Sequence, residues 1–107
     1  MGFSKADAFP MDQQILAICG KLISHPARIQ IIQYLIRNGS SSMQEIADSI
    51  PLNRRSVTQH LTKLRSHGLL LATVKTPYVI YEVDERALAN LVKQFNNFFI
   101  DRLEVTI

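Results

Sequence analysis

Cysteine occurs only once, as Cys19, in this chain of 107 residues. One thiol excludes an internal disulfide and any zinc site built on paired cysteines, and it suits a reducing compartment. Long apolar runs are missing too: nothing approaches the roughly 18 consecutive apolar residues that a membrane-spanning helix needs. The opening MGFSKADAFP lacks the apolar core of a secretory leader, and Met1-Gly2 followed by Lys5 does not complete a lipidation signal. A cytoplasmic, soluble protein with no membrane partner is the expectation. No glycine-rich phosphate loop occurs, and no nucleophile, acid and base stand at recognisable spacing, so no catalytic residue is assigned and enzymatic activity is not expected. Repeats, low-complexity tracts and long linkers are also absent. What remains is 47% hydrophobic residues, enough for one modest core. A domain this small is readily stabilised by a second copy of itself across any spare apolar surface.

Acidic residues are missing from one stretch in particular. Up to Leu52, four bases (Lys5, Lys21, Arg28, Arg37) meet four acids (Asp7, Asp12, Glu45, Asp48), and after Lys75 three bases meet five acids. Between them, Asn53 to Lys75 carries Arg54, Arg55, Lys63, Arg65 and Lys75 with no acid at all. The whole net charge of +3 therefore originates in one segment, the footprint of a polyanion binder.

Patterning predicts five helices and a hairpin. Asp12 is positioned to cap a first helix reaching about Ile23, whose Ile15, Leu16, Ile18, Cys19, Leu22 and Ile23 cover more than half its circumference and so imply two packing partners. Ser24 is the expected cap of a second helix with Pro26 in its first turn, where a missing N–H does no harm. Ile29, Ile32, Leu35 and Ile36 repeat at helical spacing along it until Asn38-Gly39. Ser42-Met43-Gln44-Glu45 has the capping-box form and opens a short third helix with Met43, Ile46, Ala47 and Ile50 inward, stopped by Pro51. Asn53 caps a fourth, Arg54 to His67, closed by Gly68; joined through Pro51-Leu52-Asn53, the third and fourth form a helix-turn-helix. Leu69–Val74 and Tyr78–Val83, separated by Lys75-Thr76-Pro77, read as a two-stranded wing. Asp84 caps a last helix striped by Leu88, Leu91, Val92, Phe95, Phe98, Phe99 and Leu103.

On the fourth helix, stepping about 100° per residue from Val57 puts Leu61 near 40° and Leu64 near −20°, defining a buried edge. Arg55, Gln59, Thr62 and Ser66 oppose it, flanked by Ser56, Thr58 and Lys63. Arginine pairs with guanine, glutamine with adenine, and hydroxyls and lysine with phosphate oxygens. Arg55, Ser56 and Gln59, in the N-terminal half, are the expected base readers. Arg54 and Arg55 stand where the helix dipole favours acids by roughly 0.3 to 1 kcal/mol, a local conflict that bound phosphates would resolve. His60, at the margin of the buried edge, is read equally as a packed residue bonding a neighbouring backbone group and as a DNA contact. His67 suits the negative end of the helix dipole.

The run from Leu52 to Leu69 resembles the signature of ArsR-type winged-helix repressors, Ser/Thr-x-His-Leu-x-x-Leu-x-x-x-Gly-Leu, with Thr58, His60, Leu61, Leu64, Gly68 and Leu69 in register. Ser24-His25-Pro26-Ala27-Arg28-Ile29 is similar to the family's (D/H)-P-x-R opening of the second helix, and Tyr81-Glu82-Val83 to the end of its wing. The resemblance spans Leu16 to Phe99. It implies a homodimer joined through the first and last helices, with double-stranded DNA as partner and an unidentified small-molecule inducer relieving DNA binding. Many members hold a metal through a Cys-x-Cys pair in the third helix, where this sequence has Ala47 and Ser49; others use Asp and His on the last helix, which here lacks histidine. His25, His60 and His67 show no ligand spacing among themselves or with Cys19. No metal and no cofactor are expected.

The fold class is thus mainly α with a small β-hairpin, a winged helix-turn-helix of order α-α-α-α-β-β-α with a three-helix core. Residues 1–11 are expected to form a flexible N-terminus, 12–103 the winged-helix domain with its dimerisation helices, and 104–107 a tail. The function expected is that of a sequence-specific transcriptional regulator, a repressor on a pseudo-palindromic operator. Arg54, Arg55, Ser56, Thr58, Gln59, Thr62, Lys63 and Lys75 are the candidate DNA contacts, and Ile15, Leu16, Ile18, Leu91, Phe95, Phe98 and Phe99 the candidate dimer interface. Two other readings stand beside it. The wing has one basic residue, Lys75, and lacks arginine and glycine, which suits a protein-interaction module; Cys19 or the phenylalanine cluster suits a redox- or small-molecule-responsive regulator.

Overall fold

The computed structural model describes residues 5–106. Helix α1 (Met11–Leu22) begins after Pro10, whose carbonyl accepts from the Gln13 and Gln14 amides; Asp12, expected as the cap, lies inside the first turn and makes no capping hydrogen bond. Helix α2 (Pro26–Asn38) is capped by His25 rather than Ser24. The His25 Nδ1 accepts from the Ala27 amide at 2.9 Å, while the Ser24 hydroxyl donates back to the Lys21 carbonyl. An imidazole immediately before Pro26 reaches the same orphan amide that a serine would have satisfied.

Ser41–Ser42 forms a short strand, β1, and leads directly into α3 (Met43–Asp48). The capping box forms as expected: Ser42 Oγ accepts from the Glu45 amide, and Glu45 Oε1 accepts from the Ser42 amide. The Ser42 amide, and after it the Ser42 hydroxyl, stabilise the ionised carboxylate and hold the Glu45 pKa below its usual value. Helix α4 (Arg54–Ser66) follows the turn at 49–53 and ends where Gly68 takes φ +80°, a conformation glycine enters without steric cost.

Strands β2 (Leu70–Lys75) and β3 (Tyr78–Val83) pair antiparallel from Leu70↔Val83 to Lys75↔Tyr78 around the two-residue turn Thr76-Pro77. β1 adds to the other edge of β3, giving a three-stranded sheet in the order β1-β3-β2. The third strand was not expected, because two serines carry no alternation from which to read it. Helix α5 (Glu85–Thr106) is capped by Asp84, whose Oδ1 accepts from the Arg86 and Ala87 amides, and it continues through most of the segment 104–107 expected as a tail. Likewise Lys5–Ala8, inside the expected flexible N-terminus, forms a 3-10 turn. Leu103 lies outside the residues whose side chains are described.

The core gathers Ile31, Leu35, Ile46, Val57, Leu61, Leu64, Leu69 and Leu70 from α2, α3, α4 and the wing base. α2 departs from the expected face: Ile31 is fully buried, whereas Ile29 and Ile36 are exposed. With isoleucines on several sides of one helix, periodicity does not select the face; packing against α4 does. Among the described residues no single helix is long and apolar enough to cross a membrane. Since Leu61 is fully enclosed, Leu61→Ala is expected to lower the unfolding free energy by about 2 to 5 kcal/mol, read from a urea titration; a loss near zero would place the core elsewhere.

Candidate nucleic-acid interface

The core contacts orient α4. Val57, Leu61 and Leu64 are completely enclosed, so Arg54, Arg55, Thr58, Gln59, Thr62 and Lys63 all stand exposed, with Ser56 half-buried at the flank. Asn53 caps the helix, its Oδ1 accepting from the Ser56 amide at 2.8 Å. The Thr58 hydroxyl donates to the Arg54 carbonyl at 2.9 Å, which leaves its oxygen as an acceptor on the exposed face. Among the described residues the side chains of Arg54, Arg55, Gln59, Thr62 and Lys63 have no hydrogen-bond or ion-pair partner, and no acid occupies the first turn. The arrangement is a fan of unpaired side chains along one face of α4, with Arg54 and Arg55 at the positive end of the helix. Such an array complements phosphate oxygens and base edges.

Lys75 is exposed at the wing tip, directly opposite Tyr78 in register. Tyr78 is itself exposed and was missed as a candidate. The two-residue turn was the available signal, because it sets both side chains on one face of the hairpin.

A second feature was legible only as unrelated motif residues. Arg28 Nε donates to His60 Nδ1 at 3.3 Å, and Arg28 Nη1 donates to the Lys21 carbonyl at 2.6 Å. The His25 and His60 rings lie 4.4 Å apart. His60 thus bonds a side chain from α2, not a neighbouring backbone group. Burial, His25 and the Arg28 guanidinium all disfavour an imidazolium there and lower the His60 pKa. The cluster ties the middle of α4 to the start of α2 and to the end of α1. His67 terminates α4 as expected, with Nδ1 3.0 Å from the Lys63 carbonyl.

The other candidates lie on α1 and α5. Ile15, Ile18, Phe98 and Phe99 are exposed, and Leu16 and Phe95 are half-buried. Leu91, at 8% exposure, packs into the core of its own chain, leaving little surface for a partner. Phe95 stacks on Phe99 at 6.5 Å and Phe98 meets Phe99 edge-on at 5.1 Å, forming an aromatic ridge on α5. Cys19 is buried against the core, and desolvation pushes its thiol pKa up, which disfavours the reactive thiolate. Among the described residues no three His, Cys, Asp or Glu side chains converge as metal ligands.

A helix-turn-helix with a hairpin wing and an acid-free, outward-facing second helix defines a DNA-binding winged-helix protein. The sequence profile of a helix-turn-helix domain matches residues 23–72. The HTH-type transcriptional regulator CmtR of Mycobacterium tuberculosis is 32% identical over 87 residues, covering 78% of this chain and 73% of the relative. Two solved structures are each 26% identical. The homodimeric winged helix-turn-helix DNA-binding domain of Mb0332 from Mycobacterium bovis, a possible ArsR-family transcriptional regulator, superposes with a TM-score of 0.66 over 96% of this chain and 93% of that one. A possible transcriptional regulator for arsenical resistance superposes with 0.71 over 83% and 95%. The chain belongs to the ArsR-type winged helix-turn-helix transcriptional regulators, and is a DNA-binding regulator rather than an enzyme.

The histidine cluster has a pH consequence. His60 has a lower pKa in the fold than its ordinary 6.5, so the unfolded chain takes up its proton first. The contribution of His60 is therefore complete above pH 6.5 and is lost as pH falls through the lowered value. His60→Gln, which keeps an acceptor for Arg28 but no titrating proton, is expected to flatten this part of the stability–pH curve in urea unfolding. An unchanged curve would remove His60 as its source.

Proposed function

We propose that this regulator is a homodimeric, sequence-specific repressor that places two copies of α4 in successive major grooves of a pseudo-palindromic operator, with half-sites about 34 Å apart. The observation that carries the reading is the unpaired, acid-free face of α4. In it Arg55, Ser56 and Gln59 read bases, Arg54, Thr58, Thr62 and Lys63 hold phosphates, and Lys75 reaches the backbone from the wing. Arginines in the first helical turn are unfavourable in the free protein and favourable beside phosphates, so their cost is offset only in the complex.

Dimerisation is assigned to Ile15, Leu16 and Ile18 of α1 and to Phe95, Phe98 and Phe99 of α5. The exposure of Ile15, Ile18, Phe98 and Phe99 and the homodimeric state of the Mb0332 domain support it. The protein works in the cytoplasm. Ala47 and Ser49 offer no soft ligand where relatives would carry Cys-x-Cys, so its signal does not come through a metal at α3.

Selection of bound fragments from a random DNA pool is expected to return an inverted repeat, with affinity falling steeply with salt. Arg55→Ala should cost about 1 to 3 kcal/mol and relax base preference at one position of each half-site, whereas Lys63→Ala should weaken all sequences alike and reduce the salt slope by about 1. Unaltered selectivity in the Arg55 variant would remove it from the readers. No DNA preference at any salt, with a stable complex to another protein instead, would favour an interaction module. In sedimentation the double variant Ile18→Asp, Phe99→Asp is expected to be a folded monomer; a persistent dimer would place the interface elsewhere.

A further inference from the structure

A cavity of about 180 Å³ opens between α1, α5 and the joint at which α4 passes into the wing. Ile18, Cys19 and Leu22 form one wall, Ala87 and Leu91 the other, and Leu69 its inner end. No lysine, arginine, aspartate or glutamate lines it, while His67 and Asn90 supply polar groups. The cavity is open to solvent on one side and its walls are mainly Ile, Leu and Ala, so a small apolar guest gains by displacing water from them. A charged guest would lose its hydration with no counter-ion to replace it. The His67 Nδ1 lies 3.0 Å from the Lys63 carbonyl, which only accepts, so Nδ1 is the donor there. The Asn90 Oδ1 accepts from Gln94 Nε2 at 3.4 Å, and its amide nitrogen remains as a donor.

We propose that this cavity is an effector site for a small, uncharged, mainly apolar molecule carrying one hydroxyl, a phenol-like ligand of roughly ten non-hydrogen atoms or fewer. Leu69 makes the site consequential. Its amide donates to the Leu64 carbonyl at the end of α4, and its carbonyl accepts from the Asp84 amide at the start of α5. A guest that props Leu69 away from α1 therefore shifts the reading helix relative to both terminal helices. If α1 and α5 hold the dimer together, as proposed above, that shift alters the separation of the two reading helices and the occupied form binds its operator more weakly. The coupling rests on the operator-binding reading; the cavity does not.

The test uses the full chain, with phenol as probe and benzoate as its charged counterpart. Cys19 is the only cysteine and lies in the wall, so its modification rate by a thiol reagent reports occupancy. Phenol is expected to slow that rate saturably and raise the thermal midpoint, and benzoate to do neither. Ala87→Phe should slow the reaction without phenol and abolish the phenol response. Asn90→Leu, at the exposed rim, should keep the fold and weaken phenol about fivefold. Phenol should weaken binding to the selected operator about tenfold, and operator should weaken phenol by the same factor. No saturable protection of Cys19, or protection that depends on protein concentration alone because a second copy fills the cavity, overturns the site. Phenol binding with unchanged operator affinity overturns its effector role. Phenol binding by a chain with no DNA affinity upholds the site and overturns the operator reading instead.

Discussion

Burial of Val57, Leu61 and Leu64 against α2, α3 and the wing base is the constraint from which the reading face follows. A helix has one azimuth once three residues on one edge are enclosed, and the opposite side is then committed to solvent or to a ligand. That is why the polar residues of α4 share a direction. The same packing anchors the wing, because Leu69 and Leu70 leave the end of α4 directly into the core.

Polar contacts add what apolar packing leaves loose. Close-packed aliphatic side chains resist changes of volume more than they resist small rotations of a helix about its axis. Arg28, bonded at once to His60 and to the Lys21 carbonyl, opposes such a rotation. His25 caps α2 and packs on His60, so residues of two separate motifs form one junction. The family signature thus has a mechanical reason here: those side chains hold the reading helix rather than belong to its exposed face.

The termini follow a different logic. A domain of this size encloses only part of its apolar surface, and α1 and α5 carry more than the core takes. Their inner residues, Cys19, Leu22 and Leu91, are used within the chain, while Ile18 and Phe99 remain exposed. One pair of helices therefore supplies a core wall, the lining of a cavity and an open apolar ridge.

Much of this was legible in the sequence because local rules carry it. The capping box at Ser42, Asn53 before α4, Gly68 after it and Asp84 before α5 each satisfy orphan backbone groups within a few residues, so type and spacing suffice. The buried edge of α4 was legible because only one side of it is apolar. α2 was not, since its isoleucines surround it and only contact with α4 selected Ile31 over Ile29. β1 escaped because strand pairing by two serines is a property of β3, not of the serines. The His25–Arg28–His60 junction escaped because Arg28 and His60 lie 32 positions apart. Sequence alone determined the five helices, the hairpin, the caps at Ser42, Asn53 and Asp84 and the polar face of α4, all set by interactions within one or two helical turns. Only the tertiary structure decided which side of α2 is buried, which histidines meet and which of the apolar residues of α1 and α5 are left over, because those depend on which elements come to lie beside one another.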